Sequence, residues 1–209
     1  MLGSNKTINL TKGKSITLDK GLQKMRINVS WKYKTGYGRT PENFDVDLIC
    51  LELNSQGSML DYVFYNTSNR DPETGMLCTD DRAVLYSGDD QGDSSDGESD
   101  EEMICNLGRV DHEVKELVFM INIYDSQTRR QHFDQVKSIE VQVFEESSSV
   151  PSIVYSMKEE YGRDSFITVC SISRQSNSNN FELKAIGEGN DNDLATNIGK
   201  YTTNIKGNG

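Results

Sequence analysis

The stretch MRINVSWKY, residues 25–33, sets Met25, Ile27, Val29, Trp31 and Tyr33 on one side of an extended chain and Arg26, Asn28, Ser30 and Lys32 on the other. A period of two marks a strand with one face in a core and one in water; a helix would need a period near 3.6. The alternation returns in IEVQVF (Ile139, Val141, Val143) and in FELKAI (Phe181, Leu183, Ala185). LICLEL and LVFMINIY are almost continuously apolar, as expected of central strands buried on both faces. TINL, SITL, YVFY, AVLY, MICNL, IVYSM and FITVCSI are further strand candidates, and turn signals at residues 35–38, 54–57 and 176–180 punctuate them. This spacing predicts an all-β fold, a two-sheet antiparallel β-sandwich in which all 209 residues form a single domain. Helix is confined to residues 125–135, with Asp125 as N-cap, and residues 192–201. Residues 66–82 read as a long polar loop and residues 87–102 as an acidic loop.

Composition narrows the function. The net charge is −11, and removing the eight acids of residues 87–104 (SGDDQGDSSDGESDEEMI) leaves −3. The acidity is therefore local, and no basic patch offers itself to nucleic acid. The four cysteines (Cys50, Cys78, Cys105, Cys170) are widely spaced, and three of them lie in apolar runs, where a thiol acts as a small hydrophobe. Residues 1–20 hold no apolar signal core, and no run reaches membrane-spanning length. The expectation is a cytoplasmic protein whose glycosylation sequons are coincidental.

Catalytic signals are weak. His112 and His132 are the only histidines, each in polar surroundings, and no G-x-S-x-G elbow is present. Gly13-Lys14-Ser15 ends like a phosphate-binding loop but lacks the first glycine, since Ile8 stands there. The expectation is a protein that is not an enzyme.

Two acidic features remain. In Phe44-Asp45-Val46-Asp47-Leu48, strand alternation puts Asp45 and Asp47 on one face, with Cα atoms about 7 Å apart, followed on that face by Ile49, Leu51 and Leu53. Like charges at a core margin need a partner, whether a lysine, an arginine or a cation, unless both simply face solvent at the strand end. The run at residues 87–104 is either a solvated spacer or a site. Its Gly and Ser residues let backbone carbonyls and carboxylates crowd together, and it does not match an EF-hand. Hard oxygen donors favour Ca²⁺ over zinc or copper. Asp89 with Asp90, and Asp100 to Glu102, flank strands and are the ligand candidates; residues 93–96 are spacer.

These residues, in this order, resemble the TerD-like proteins of tellurite resistance and bacterial stress response. Residues 9–18 are similar to the family's N-terminal strand pair with a lysine-glycine turn. Residues 44–48 resemble its F-D-L-D-A, Phe64-Tyr65-Asn66 its F-Y-N, and Ser87-Gly88-Asp89-Asp90 with Ser99-Asp100-Glu101-Glu102 its acidic segment. Ile123-Tyr124-Asp125 through Phe133 and residues 181–189 (FELKAIGEG) complete the set. The resemblance implies a β-sandwich holding two Ca²⁺ ions in an acidic cleft, with ligands drawn from Asp45, Asp47, Asn66, Asp89, Asp90, Glu98, Asp100, Glu101 and Glu102. It further implies a non-enzymatic stress or phage-defence role through protein partners, either other Ter-type proteins or copies of itself, with membrane association only peripheral. The alternative is a structural or accessory component of a virus particle or mobile element.

Overall fold

The computed structural model describes residues 7–33, 45–88, 98–157, 161–176, 178 and 180–202. In chain order come β1 (Ile8–Leu10), β2 (Ser15–Thr17), β3 (Lys24–Tyr33), β4 (Val46–Leu53), β5 (Met59–Val63), β6 (Leu77–Cys78), β7 (Val84–Tyr86), β8 (Glu98–Asn106), β9 (Glu116–Ile123), α1 (Ser126–Arg129), β10 (Val136–Glu145), β11 (Ile153–Met157), β12 (Phe166–Arg174), β13 (Phe181–Asn190) and α2 (Leu194–Thr202). The strands form a seven-stranded sheet, β1-β11-β10-β3-β8-β7-β6, and a six-stranded sheet, β2-β13-β12-β9-β4-β5.

The period-two stretch does what its pattern requires. Met25, Ile27, Val29 and Trp31 are buried between the sheets against Val46, Leu48 and Cys50 of β4 and Phe119, Ile121 and Ile123 of β9. The six-stranded sheet is covered a second time. Ile49, Leu51, Leu53, Val118, Met120 and Phe166 form an outer cluster beneath Leu194, Ile198 and Tyr201 of α2. That second layer is why LICLEL and LVFMINIY are apolar on both faces.

Three expectations change. The two N-terminal strands do not pair with each other: β1 runs parallel to β11 in one sheet, and β2 pairs with β13 in the other. The Lys12–Gly13 turn carries the chain between sheets, and Gly13 makes it at φ +76°, where a side chain would be strained. Residues 66–82 are a built hairpin: Arg70 bridges Leu77, the Asp71 carboxylate accepts from the N–H and hydroxyl of Thr74, and β6 extends the sheet edge. At residues 125–135 only one turn of α-helix forms. Asp125 stands at its N-cap but at φ 49° and with no side-chain cap bond, so the cap position is right and its mechanism is not.

The C-terminal G-x-G owes its glycines to packing. Thr168 pairs with Glu188 and Cys170 with Ala185, so Ile186 and Gly187 face Val169 alone, a β-bulge with Gly187 at φ +66°. A Cβ on Gly187 would come within 3.0 Å of the Tyr155 hydroxyl, and one on Gly189 equally close to the Asp164 carboxylate.

Candidate metal centre

The N-terminal half of β4 positions the site. β5 pairs with β4 only from Cys50 to Leu53, so the stretch from Val46 to Ile49 lacks a β5 partner on that edge. Glu101 fills the gap. It lies opposite Val29 on β8, points inward like Met103 and Cys105, and its Oε2 accepts the Leu48 N–H at 2.5 Å. A side chain of one sheet thus caps the backbone of the other, and it is only 3% exposed.

Asp47 sits one residue before that contact, 2% exposed, opposite the buried Asn122 of β9 and on the outer face with Ile49. Asp45 is anchored through its carbonyl, which accepts the Tyr124 N–H at 2.8 Å. Its carboxylate lies 3.8 Å from Arg129, whose guanidinium stacks 5.0 Å above the Tyr124 ring. Acidic residues thus bear on the start of β4 from two sides, Asp45 and Asp47 from its own stretch of chain and Glu101 from β8. Such groups in a low-dielectric margin favour binding a cation, because unneutralised charge there is costly.

The other expected ligands divide. Asn66 is exposed in the turn after β5, beside Tyr65, which together with Asn122, Tyr124 and Leu194 lines a cleft of about 310 Å³. Glu102 lies on the opposite face of β8 from Glu101 and does not join the others: Arg26 holds it at 2.7 Å on the outside of the seven-stranded sheet and also stacks on Phe144. Glu98 and Asp100 are residues of β8, in register with Lys32 and Ser30, and their side chains are outside the description. Asp89 and Asp90 lie outside the described residues. Among the described residues, no three acidic, histidine or cysteine side chains are gathered closely enough to hold an ion by themselves.

The second half of the acidic run is strand rather than loop, since β8 begins at Glu98. Strand parity then separates Glu101 from its neighbours. Arg129 and Asn122 were not foreseen. Asn122 could have been, as the lone polar residue inside the apolar run LVFMINIY.

The donor chemistry fits a hard cation. The site offers carboxylates and carbonyls, while the four cysteines are buried elsewhere and unbridged. Burial raises the Cys50 and Cys105 thiols and pushes Cys170 up to about 12, which keeps them protonated and poor ligands. His112 is exposed and pairs with Asp111; His132 pairs with Asp134.

A family model described as the TerD domain matches residues 6–201. The chain belongs to the TerD family. The tellurium resistance protein TerD of Serratia marcescens is 25% identical over 204 residues, covering 95% of this chain and 98% of its own. General stress protein 16U of Bacillus subtilis is 29% identical over 198 residues, covering 90% and 94%. Among solved structures, a homologue of the telluride resistance protein TerD from Streptomyces coelicolor superposes with a TM-score of 0.58 at 18% identity, covering 85% of this chain and 95% of its own. At that identity the likeness speaks for the TerD fold alone.

Proposed function

We propose that this TerD-family chain is a non-enzymatic Ca²⁺-binding protein of the stress response, of the tellurite-resistance or phage-defence type, that acts from the cytoplasm through protein partners. The observation that carries the reading is that two buried carboxylates from opposite sheets serve the start of β4, Asp47 on its outer face and Glu101 on the Leu48 N–H at its open edge. Asp45 precedes Asp47 by two residues and pairs with Arg129, and the acidic residues 89–96 precede β8 in the sequence. Ca²⁺ accepts six to eight oxygen ligands in flexible geometry, which suits donors delivered by two strands and a loop. Bound there, the ion would neutralise the cluster and tie β4 to β8, so that calcium acts as a folding ligand. The names of the relatives in tellurium resistance and general stress support the physiological side. Among the described residues no helix is long and apolar enough to cross a membrane, and on this reading any membrane role is peripheral and runs through partners.

Calorimetric titration with Ca²⁺, metal counting and melting with and without chelator test this. At a hundred times the dissociation constant, binding adds about 2.7 kcal/mol, which moves the midpoint of a chain this long by roughly 5–10 °C. Absence of both heat and shift refutes the calcium reading.

A further inference from the structure

Glu52 lies at the other end of β4 from the candidate metal centre. It continues the inner face of Val46, Leu48 and Cys50 and is 2% exposed. Its Oε1 is sealed from solvent and makes no hydrogen bond. LICLEL therefore drives a carboxyl group into the sandwich interior.

The groups that face it are acidic from almost every side. Asp61 stands opposite on β5. The turn between β6 and β7 brings Thr79, Asp80 and Asp81. The Asp80 N–H donates to Asp61 Oδ2 at 2.6 Å, which ties that turn to β5. Asp81 accepts the Thr79 hydroxyl and the Ala83 N–H through Oδ1, and the Asp111 N–H through Oδ2, each at 2.8 Å. Asp111 brings the segment before β9 into the same corner, while β9 itself places apolar Leu117 opposite Glu52. The thiols of Cys50 and Cys105 complete the inner side. The neighbouring cations are turned elsewhere: Arg82 toward Asp71, Lys115 onto the His112 carbonyl, and Arg174 onto the carbonyls of Val110 and Asp111.

We propose that Glu52 stands here as the neutral acid sharing its proton with Asp81, and that this proton latches the turn at residues 79–83 onto the β4–β5 hairpin. With the proton present, one hydrogen bond joins β4 to the turn and like charges are kept apart. When the proton leaves to water, Glu52, buried, confronts the half-buried Asp61 and Asp81 as a like charge, and the turn is pushed off β5. The corner is thus an alkaline-sensitive element, separate from the carboxylates around Asp47.

The titration behaviour agrees with this geometry. Burial, followed by the charges of Asp81 and Asp61, pushes the Glu52 carboxyl up to about 8, and burial also raises Asp61. The unfolded chain releases the Glu52 proton near 4.5, whereas the folded chain holds it to about 8. The stability this proton contributes is therefore complete below the lower value, is lost progressively between the two, and stays level above. Opening of the folded corner follows near the upper value.

Carbon-13 NMR titration of the carboxyl groups, with amide exchange at Asp80, Ala83 and Asp111, tests the latch in the full chain and in Glu52→Gln. The expected result is a Glu52 carboxyl still protonated at neutral pH. In the unaltered chain those amides exchange about tenfold faster at about pH 9 than at neutral pH, after correction for intrinsic rates, while Glu52→Gln keeps them protected. A carboxyl titrating near its ordinary value, or equal loss of protection in both chains, overturns the proposal. So does a midpoint raised by Mg²⁺ or Mn²⁺ in a chain carrying Asp45→Asn and Asp47→Asn and lost on adding Glu52→Gln, because the corner would then hold a cation. If Glu52→Gln does not fold, the carboxyl titration of the unaltered chain decides alone.

Discussion

Replacing Gly187 by alanine tests the packing that closes the C-terminal sheet, and its cost can be worked from the structure. Gly187 is at φ +66°, where an L side chain loses roughly 1–2 kcal/mol. Stiffening of the unfolded chain offsets about 0.4–1 kcal/mol of this, since alanine has fewer unfolded states to lose than glycine. The added methyl also meets the Tyr155 hydroxyl inside 3.0 Å and the Tyr161 hydroxyl at 3.1 Å. Overpacking of that kind costs roughly 1–3 kcal/mol. The expected total is about 1–5 kcal/mol. Gly13→Ala is the control, because Gly13 has φ +76° with nothing within 4 Å of a built Cβ, so it carries the backbone strain without the collision. Tyr155→Phe removes the colliding oxygen and leaves the ring carbon at 3.4 Å, an ordinary contact. Urea unfolding of the two single variants and the double variant closes a cycle whose coupling should be about 1–3 kcal/mol in the rescuing direction. The reasoning fails if Gly187→Ala costs no more than Gly13→Ala, or if the Gly187 and Tyr155 changes simply add.

Two further outcomes separate layers of the molecule. Glu101→Gln should weaken Ca²⁺ binding at least about tenfold by calorimetry, whereas Glu102→Gln should leave affinity unchanged and cost under about 1 kcal/mol of stability, since its partner Arg26 is on the solvent side. Ile198→Ala, which thins the layer of α2 over the outer cluster, should cost roughly 1–2 kcal/mol in urea unfolding and leave calcium binding intact.

Much of this fold is legible in the chain because burial on one or two faces writes itself as period two or as an apolar run. β3, β4 and β9 are read directly from MRINVSWKY, LICLEL and LVFMINIY. The partners of β1 and β2 are not, because nothing local tells a three-residue strand which sheet it will join. The acidic run hid a strand for a related reason: eight like charges look like a solvated spacer until the parity of Met103 and Cys105 is carried back to Glu101. The placing of Asp45 and Asp47 on one side of the strand is legible from their spacing. That of Arg129 is not, because its place beside Asp45 depends on the single turn of α1 and the bond from Tyr124 to the Asp45 carbonyl.

The separate destinations of the first two strands bear on how the chain is made. Ile8 waits for Ile153, and Ser15 for Lys184, before either strand has a neighbour. At about 5–20 residues per second, a ribosome leaves the N-terminal segment without its β-partners for on the order of ten to thirty seconds. Neither sheet can take up its outermost strand on that side until β11, for the one, and β13, for the other, have been made. Any encounter with a chaperone, or with another nascent copy, must happen in that interval, and a shortened product ending before β13 would display an open strand edge.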